Sequence, residues 1–325
     1  MAVKRRILVA AGALTVLALA VGVGVHWLSG KGIGPLLPPS EQCQATVNGN
    51  TVVVDLEQAQ SAAIIAGVAV RRGLPARAVT IALATAYQES KLYNLNHGDR
   101  DSLGLFQQRP SMGWGTAAQV RDPHYASARF YDALVKVKNY QNLAITVAAD
   151  KVQHSAFPTA YADHEADARV LASALTGQSK AAFSCVVNNK SVPTQAVGAN
   201  GLTPRANAVR KDLLTTFGKL STGGYARGGV TTGHTAGSAH YTGRAVDVFV
   251  KPISAQNTVK GWALAQYLVA QANRLGIRTV IFSDRIWTSG SGSDSGWQSY
   301  KAPQRAGNPN TLRYLDHVHV DVAAN

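Results

Sequence analysis

The sequence predicts a two-domain α+β protein: a mainly α domain, then an α+β domain, preceded by one transmembrane helix. Three observations predict it. An uncharged apolar run opens the chain, helical periodicity dominates as far as Cys185, and strand-like runs gather in the last third. A length of 325 residues suits two ordinary domains with connecting segments. Hydrophobic content of 46% with 15% charged residues fits folded material and excludes a disordered chain.

The opening run comes first. Lys4, Arg5 and Arg6 precede an uncharged stretch over 7–25, long enough to cross a bilayer as one helix. Positive charge on its N-terminal side places that end in the cytoplasm and everything after it outside. Ala18-Leu19-Ala20 has the small-x-small form of a signal-peptide cleavage site, so a secreted product is the alternative. The apolar run continues to Trp27 and Leu28, which favours a retained anchor over 1–29 and a single-pass protein of the cell membrane. A Gly- and Pro-rich linker follows over 30–42.

Export governs how the charge is read. The chain has 32 Lys+Arg against 18 Asp+Glu, a formal charge of +14, which attracts polyanions. Nucleic acid is excluded because it lies on the other side of the membrane, leaving anionic lipid and anionic cell-wall polymers. A transporter is excluded too, since one spanning segment without an intramembrane charge offers a solute no path. Cys43 and Cys185 are the only cysteines, and outside the cytoplasm such a pair predicts a disulfide bracketing one domain, 43–185.

Within that domain 55–73 reads as a helix, with Asp55 as N-cap, Gln58 three positions on, and Gly73 as the stop. A second helix has Pro75 in its first turn, carries Val79, Leu83 and Ala86 on one face, and reaches "AYQESK". Helical patterns recur at 127–138, 143–154 and 164–176, and strand signals are sparse. The polar, aperiodic stretch 186–203 reads as an interdomain linker. In the second domain, 204–325, helices are expected from Pro204 to Phe217 and over 259–275, with strands at "RAVDVFV", "RTVIF" and "YLDHVHVDV".

The first chemical candidate is Glu89, which ends an apolar helix face just before the polar loop "NHGDRDSLGLFQQRPSMGWG". A carboxylic acid partly buried at such a cleft can hold a proton and deliver it to a glycosidic oxygen. "ESKLYNLNHGDRDSLGLFQQRP" resembles the active-site stretch of the lysozyme-like superfamily, in particular goose-type lysozymes and lytic transglycosylases. The resemblance covers roughly 43–185. It implies Glu89 as the catalytic acid, with Ser102 and Gln107 lining the sugar groove and Tyr161, in "VQHSAFPTAY", as a groove tyrosine. The usual Ala-Tyr-Asn is Ala160-Tyr161-Ala162, so one sugar contact is missing. Asp99 and Asp101 are candidate second carboxylates for hydrolysis, or else a structural turn. With no second carboxylate, the one glutamate serves as acid and then base in a transglycosylase.

The second candidate is a metal centre. A catalytic zinc takes three nitrogen or oxygen ligands and keeps one position open. His240, Asp247 and His319 could supply them. Strand alternation puts His317 and His319 on one face of "LDHVHVDV" and Val318, Val320 and Val322 on the other, so the polar faces of two strands could line one cleft. "SAHYTGRAVDV" with a late "HVH" resembles the LAS group of zinc peptidases (lysostaphin, D-Ala-D-Ala peptidases, hedgehog). Over about 204–325 this implies a LAS/hedgehog-like domain with a small antiparallel sheet and Zn2+ held by His240, Asp247 and His319. The base of that group would fall at Asp316 or His317; strand alternation, which points Asp316 the other way if the strand already includes it, favours His317, and Arg227 is implied as a substrate contact. An uncharacterised C-terminal domain of exported proteins is similar as well. The two resemblances together imply a peptidoglycan-remodelling hydrolase whose partners are peptidoglycan, anionic wall polymers and the membrane. The alternative is a non-catalytic, membrane-anchored wall-binding scaffold.

Overall fold

The chain begins its described course with a hairpin. In the computed structural model, which describes residues 40–155, 157, 159–188 and 192–324, β1 (Gln42–Val47) and β2 (Asn50–Val54) pair antiparallel around Asn48-Gly49. Both turn residues have positive φ, 49° and 82°, as an Asn-Gly hairpin turn requires. The expected anchor over 1–29, and the linker as far as residue 39, lie outside the described residues. Among the described residues no helix is long and apolar enough to cross a membrane.

α1 (Leu56–Arg71) starts at Asp55, whose side chain accepts from the Gln58 amide while the Gln58 side chain accepts from Asp55 N, the reciprocal cap read from the sequence. α2 (Ala76–Ser90) follows, with Pro75 as N-cap rather than inside the helix. Then come α3 (Ala117–Val120), α4 (Pro123–Leu134), α5 (Ile145–Gln153) and α6 (Glu165–Leu175). α4 begins earlier than its apolar pattern suggested because Asp122 caps it and Pro123 fills its first position. β3 (Phe183–Val186) returns to pair with β1, giving the order β2-β1-β3. This first half is therefore helical with a three-stranded sheet at its edge, where strand signals had looked sparse.

The predicted disulfide is present and joins residues directly opposite in the β1–β3 register, Cys43 and Cys185. Closing a span of 142 residues stabilises the fold by about 5 kcal/mol in the chain-entropy account.

The second half contains α7 (Pro204–Phe217), β4 (Thr222–Gly223), β5 (Ala245–Phe249), α8 (Ala255–Ala270), α9 (Ala272–Leu275), β6 (Ile277–Phe282), β7 (Arg285–Thr288), β8 (Gln298–Ser299), α10 (Pro309–Leu312) and β9 (His317–Val322). α8 starts four residues before the expected point because Ser254 caps it through the Asn257 amide. The strands form one antiparallel sheet, β4-β5-β9-β6-β7-β8. Val246, Val248, Val318, Val320 and Val322 are buried on its apolar face, each contributing about 2 kcal/mol.

From Glu41 onward the residues make one compact unit, and polar side chains tie its two halves together. Gln266, fully buried on α8, donates to Ala174 O at 2.6 Å and accepts from Phe183 N at 2.7 Å. Trp287 and Trp297 donate to Cys185 O and Phe183 O. His124 Nε2 lies 2.9 Å from Thr216 Oγ1, which meets Tyr267 Oη at 2.8 Å. Of the segment expected as a linker, Val187 and Leu202 are buried.

Candidate functional site

Two local devices build the deeper site. Ser238 caps a turn of 3-10 helix, Ala239–Thr242, through the His240 amide, and Gly243 at φ 64° redirects the chain into β5. The Ser-x-His-x-x-Gly spacing thereby places His240 over the sheet. In the sheet Asp247 on β5 pairs with His319 on β9, so the two side chains rise side by side from one face. His240 Nε2 is 3.3 Å from Asp247 Oδ1 and 3.1 Å from His319 Nδ1, which is itself 3.1 Å from Asp247 Oδ1. A tetrahedral ion with bonds of about 2.0–2.1 Å has ligand-to-ligand edges of about 3.3–3.4 Å. The triangle is close to one face of such a tetrahedron.

The outward atoms of both histidines are engaged. His240 Nδ1 donates to Gly224 O at 2.7 Å, leaving the Nε2 lone pair facing inward. Only glycine fits at 224, because a Cβ there would stand 2.3 Å from His240 Cε1. His319 Nε2 lies 3.4 Å from Asp321 Oδ2, which leaves Nδ1 facing inward. Two inward nitrogens and a carboxylate oxygen in contact are a donor set that could hold a cation. Burial opposes a negative Asp247, but hydrogen bonds from His240 and then His319 outweigh it and hold the carboxyl well below the usual range. Burial likewise opposes a charged His319, yet Asp247 and then Asp321 push that ring up to about 9.

His317 shares the face. Its Nδ1 is 2.7 Å from Asp316 Oδ1 and its Nε2 is 3.8 Å from Asp247 Oδ1. Asp316 Oδ2 accepts from Thr311 at 2.9 Å and pairs with Lys251 at 3.2 Å. Asp316, expected to point away, is thus the partner of His317, because it precedes β9 and escapes strand alternation. Arg227 is exposed on the loop that follows Gly224.

One feature differs from the expected open cleft. His240, Asp247, His317 and His319 are only 3–6% exposed. The ring of His234 stacks on His240, with centroids 3.9 Å apart. His234, His240 and Asp247 each offer a ligand atom within 4.8 Å of the others, a group that could hold a metal ion. The sequence reading missed His234, since an isolated histidine in "VTTGHTAGS" carries no periodic or spacing signal.

The second site lies at the C-terminal end of α2. Glu89 is half-buried and accepts a hydrogen bond at 2.8 Å from Tyr161 Oη, brought there by the 3-10 segment Ala160–His164. Burial above all, with the neighbouring Glu89 adding to it, pushes the Tyr161 hydroxyl far up, so it stays a donor. Ser90 ties the helix end to the following loop through Leu105 O at 2.8 Å. Ser102 is buried in that loop, and Gln107 Nε2 folds back onto Gly104 O and His97 O.

The two aspartates sit apart from this pair. Asp101 accepts from Ser111 N at 2.7 Å, Arg109 Nε at 2.8 Å and Ser111 Oγ at 2.9 Å, which holds its carboxyl well below the usual range. The Asp99 side chain is 93% exposed. Among the described residues no hydrogen bond joins either of them to Glu89. Gln88, bonded to His164 at 2.8 Å, is an additional polar group next to Glu89 in the chain that sequence reading passed over.

Residues 198–311 match the family model described as VldE, C-terminal domain. The match supports the expectation of a C-terminal domain of uncharacterised type; it takes in His234, His240 and Asp247 and ends before His317 and His319. No curated protein matches the chain.

Proposed function

We propose that the chain is an exported, membrane-anchored peptidoglycan-remodelling hydrolase, with Glu89 acting on glycan and a zinc centre acting on peptide stems. The observation that carries this reading is the triangle of His240 Nε2, Asp247 Oδ1 and His319 Nδ1 with edges of 3.1–3.3 Å. Zinc bound there supplies Lewis-acid polarisation of a scissile carbonyl and a more acidic water. His317, held at Nδ1 by Asp316, presents Nε2 to the centre as the atom that takes a proton and returns it to the leaving amine. Lys251 anchors Asp316 and so fixes the imidazole plane.

At the other site Tyr161 engages Glu89 Oε1, so the proton for the glycosidic oxygen is carried on Oε2. Asp101 is committed to Arg109 and Ser111, which favours the one-carboxylate transglycosylase route over hydrolysis. A second reading, a metal-stabilised wall-binding module, is favoured by the depth of the centre, with its four side chains 3–6% exposed.

Mass spectrometry of soluble fragments released from murein by the oxidised protein separates these readings. Anhydro-sugar ends absent with Glu89→Gln, and stem peptides absent with His240→Ala or a chelator, are the expected results. Intact murein from every sample, wild type included, would leave only the binding module.

A further inference from the structure

The proposed zinc centre has three ligands and, in this fold, no open approach. Its side chains are 3–6% exposed, and the ring in stacking contact with His240 belongs to His234. We infer that His234 swings out of its stack on His240 to become a fourth protein ligand when the centre is loaded, and that the loop over 228–237 thereby closes it. This inference rests on the zinc reading above and adds to it who occupies the fourth position.

Three observations carry it. The His234 ligand atom lies within 4.8 Å of those of His240 and Asp247, so a displacement of up to about 1.4 Å, with the ring turned out of its stack, brings it to a tetrahedral edge of about 3.4 Å. The loop is pinned where that requires it: Tyr241 Oη donates to His234 O at 2.7 Å and accepts from His234 N at 3.0 Å, while Arg305 reaches Gly233 O at 3.5 Å. The segment is also built to swing. Gly233 and Gly237 flank His234 at φ 89° and 76°, and a Cβ at either would meet nothing within 4 Å.

A four-ligand site is chemically inert, whereas a three-ligand site admits water or a carbonyl. The loop is therefore a latch. Substrate reaches the ion by displacing the His234 imidazole, a neutral donor whose exchange for water or a carbonyl oxygen leaves the charge of the centre unchanged. Tyr241 and Arg305 set how firmly the latch holds.

The test uses the full chain with Co2+ as the probe, followed by visible absorption and by competition with a chelator. The expected result is a tetrahedral cobalt spectrum in wild type that azide leaves unchanged. In His234→Ala azide shifts that spectrum, and Co2+ affinity falls by more than about tenfold, the least that loss of a supporting group costs. Tyr241→Phe, which retains the ring and the fold, should give a partial azide response. An azide shift of equal size in wild type and His234→Ala, with equal affinities, overturns the fourth ligand and leaves the zinc reading standing. No cobalt spectrum in either protein overturns both.

Discussion

The two sites solve the problem of placing a reactive group in opposite ways. Glu89 is one half-buried carboxyl at a helix end, steadied by one hydroxyl and bordered by a loop. The histidine–aspartate centre draws on two paired strands and a 3-10 turn, and an outer partner orients each histidine. Helix ends expose a group; paired strands bury one. The first site is therefore open and sparsely supported, the second closed and heavily supported, and their failure modes should differ.

The largest expected effect breaks the comparison cleanly. Glu89→Gln should lower release of glycan ends by about 10²–10⁴-fold, the range for loss of a general acid, without changing zinc content. His240→Ala should do the reverse, reducing zinc affinity by more than about 100-fold with glycan products intact; elemental analysis and fragment mass spectrometry read both. Next, Asp316→Asn should lower peptide release by about 10–100-fold at unchanged zinc content, as outer-partner losses do, and alter the pH profile. Tyr161→Phe should cost up to about tenfold in glycan cleavage, since one such hydrogen bond is worth about 0.5–1.5 kcal/mol.

The smallest effect concerns the contact between the halves. Burial, outweighing the nearby Asp122, holds His124 below its ordinary value of 6.5. A lowered histidine pKa means the fold prefers the neutral ring. Its contribution is complete above pH 6.5 and is lost as the pH falls below that value towards the folded pKa. Denaturation midpoints measured from pH 7.5 down to 5 should fall less steeply in His124→Gln.

Much of the closed centre was legible because period-two alternation over "AVDVF" and "HVHVDV" fixes which residues share a face. The Asp55 cap and the cysteine pair were legible for similar local reasons. The first sheet was also legible and was missed: Asn48-Gly49 between two valine-bearing runs is a strong hairpin signal. His234 and Gly224 left no local trace, because their roles arise from loops folded back over the sheet. Asp316 was misjudged because alternation was carried one residue past the strand's start.

Gln266 has a consequence of its own. Its amide satisfies backbone groups of α6 and β3 from within α8, so severing the chain anywhere in 189–203 would leave the two halves still engaged through buried hydrogen bonds and a common apolar interior. Under the proposed function, the two sites would meet their substrate at one spacing. Against a polymer with a repeating mesh, such a molecule would act as a gauge with fixed jaws.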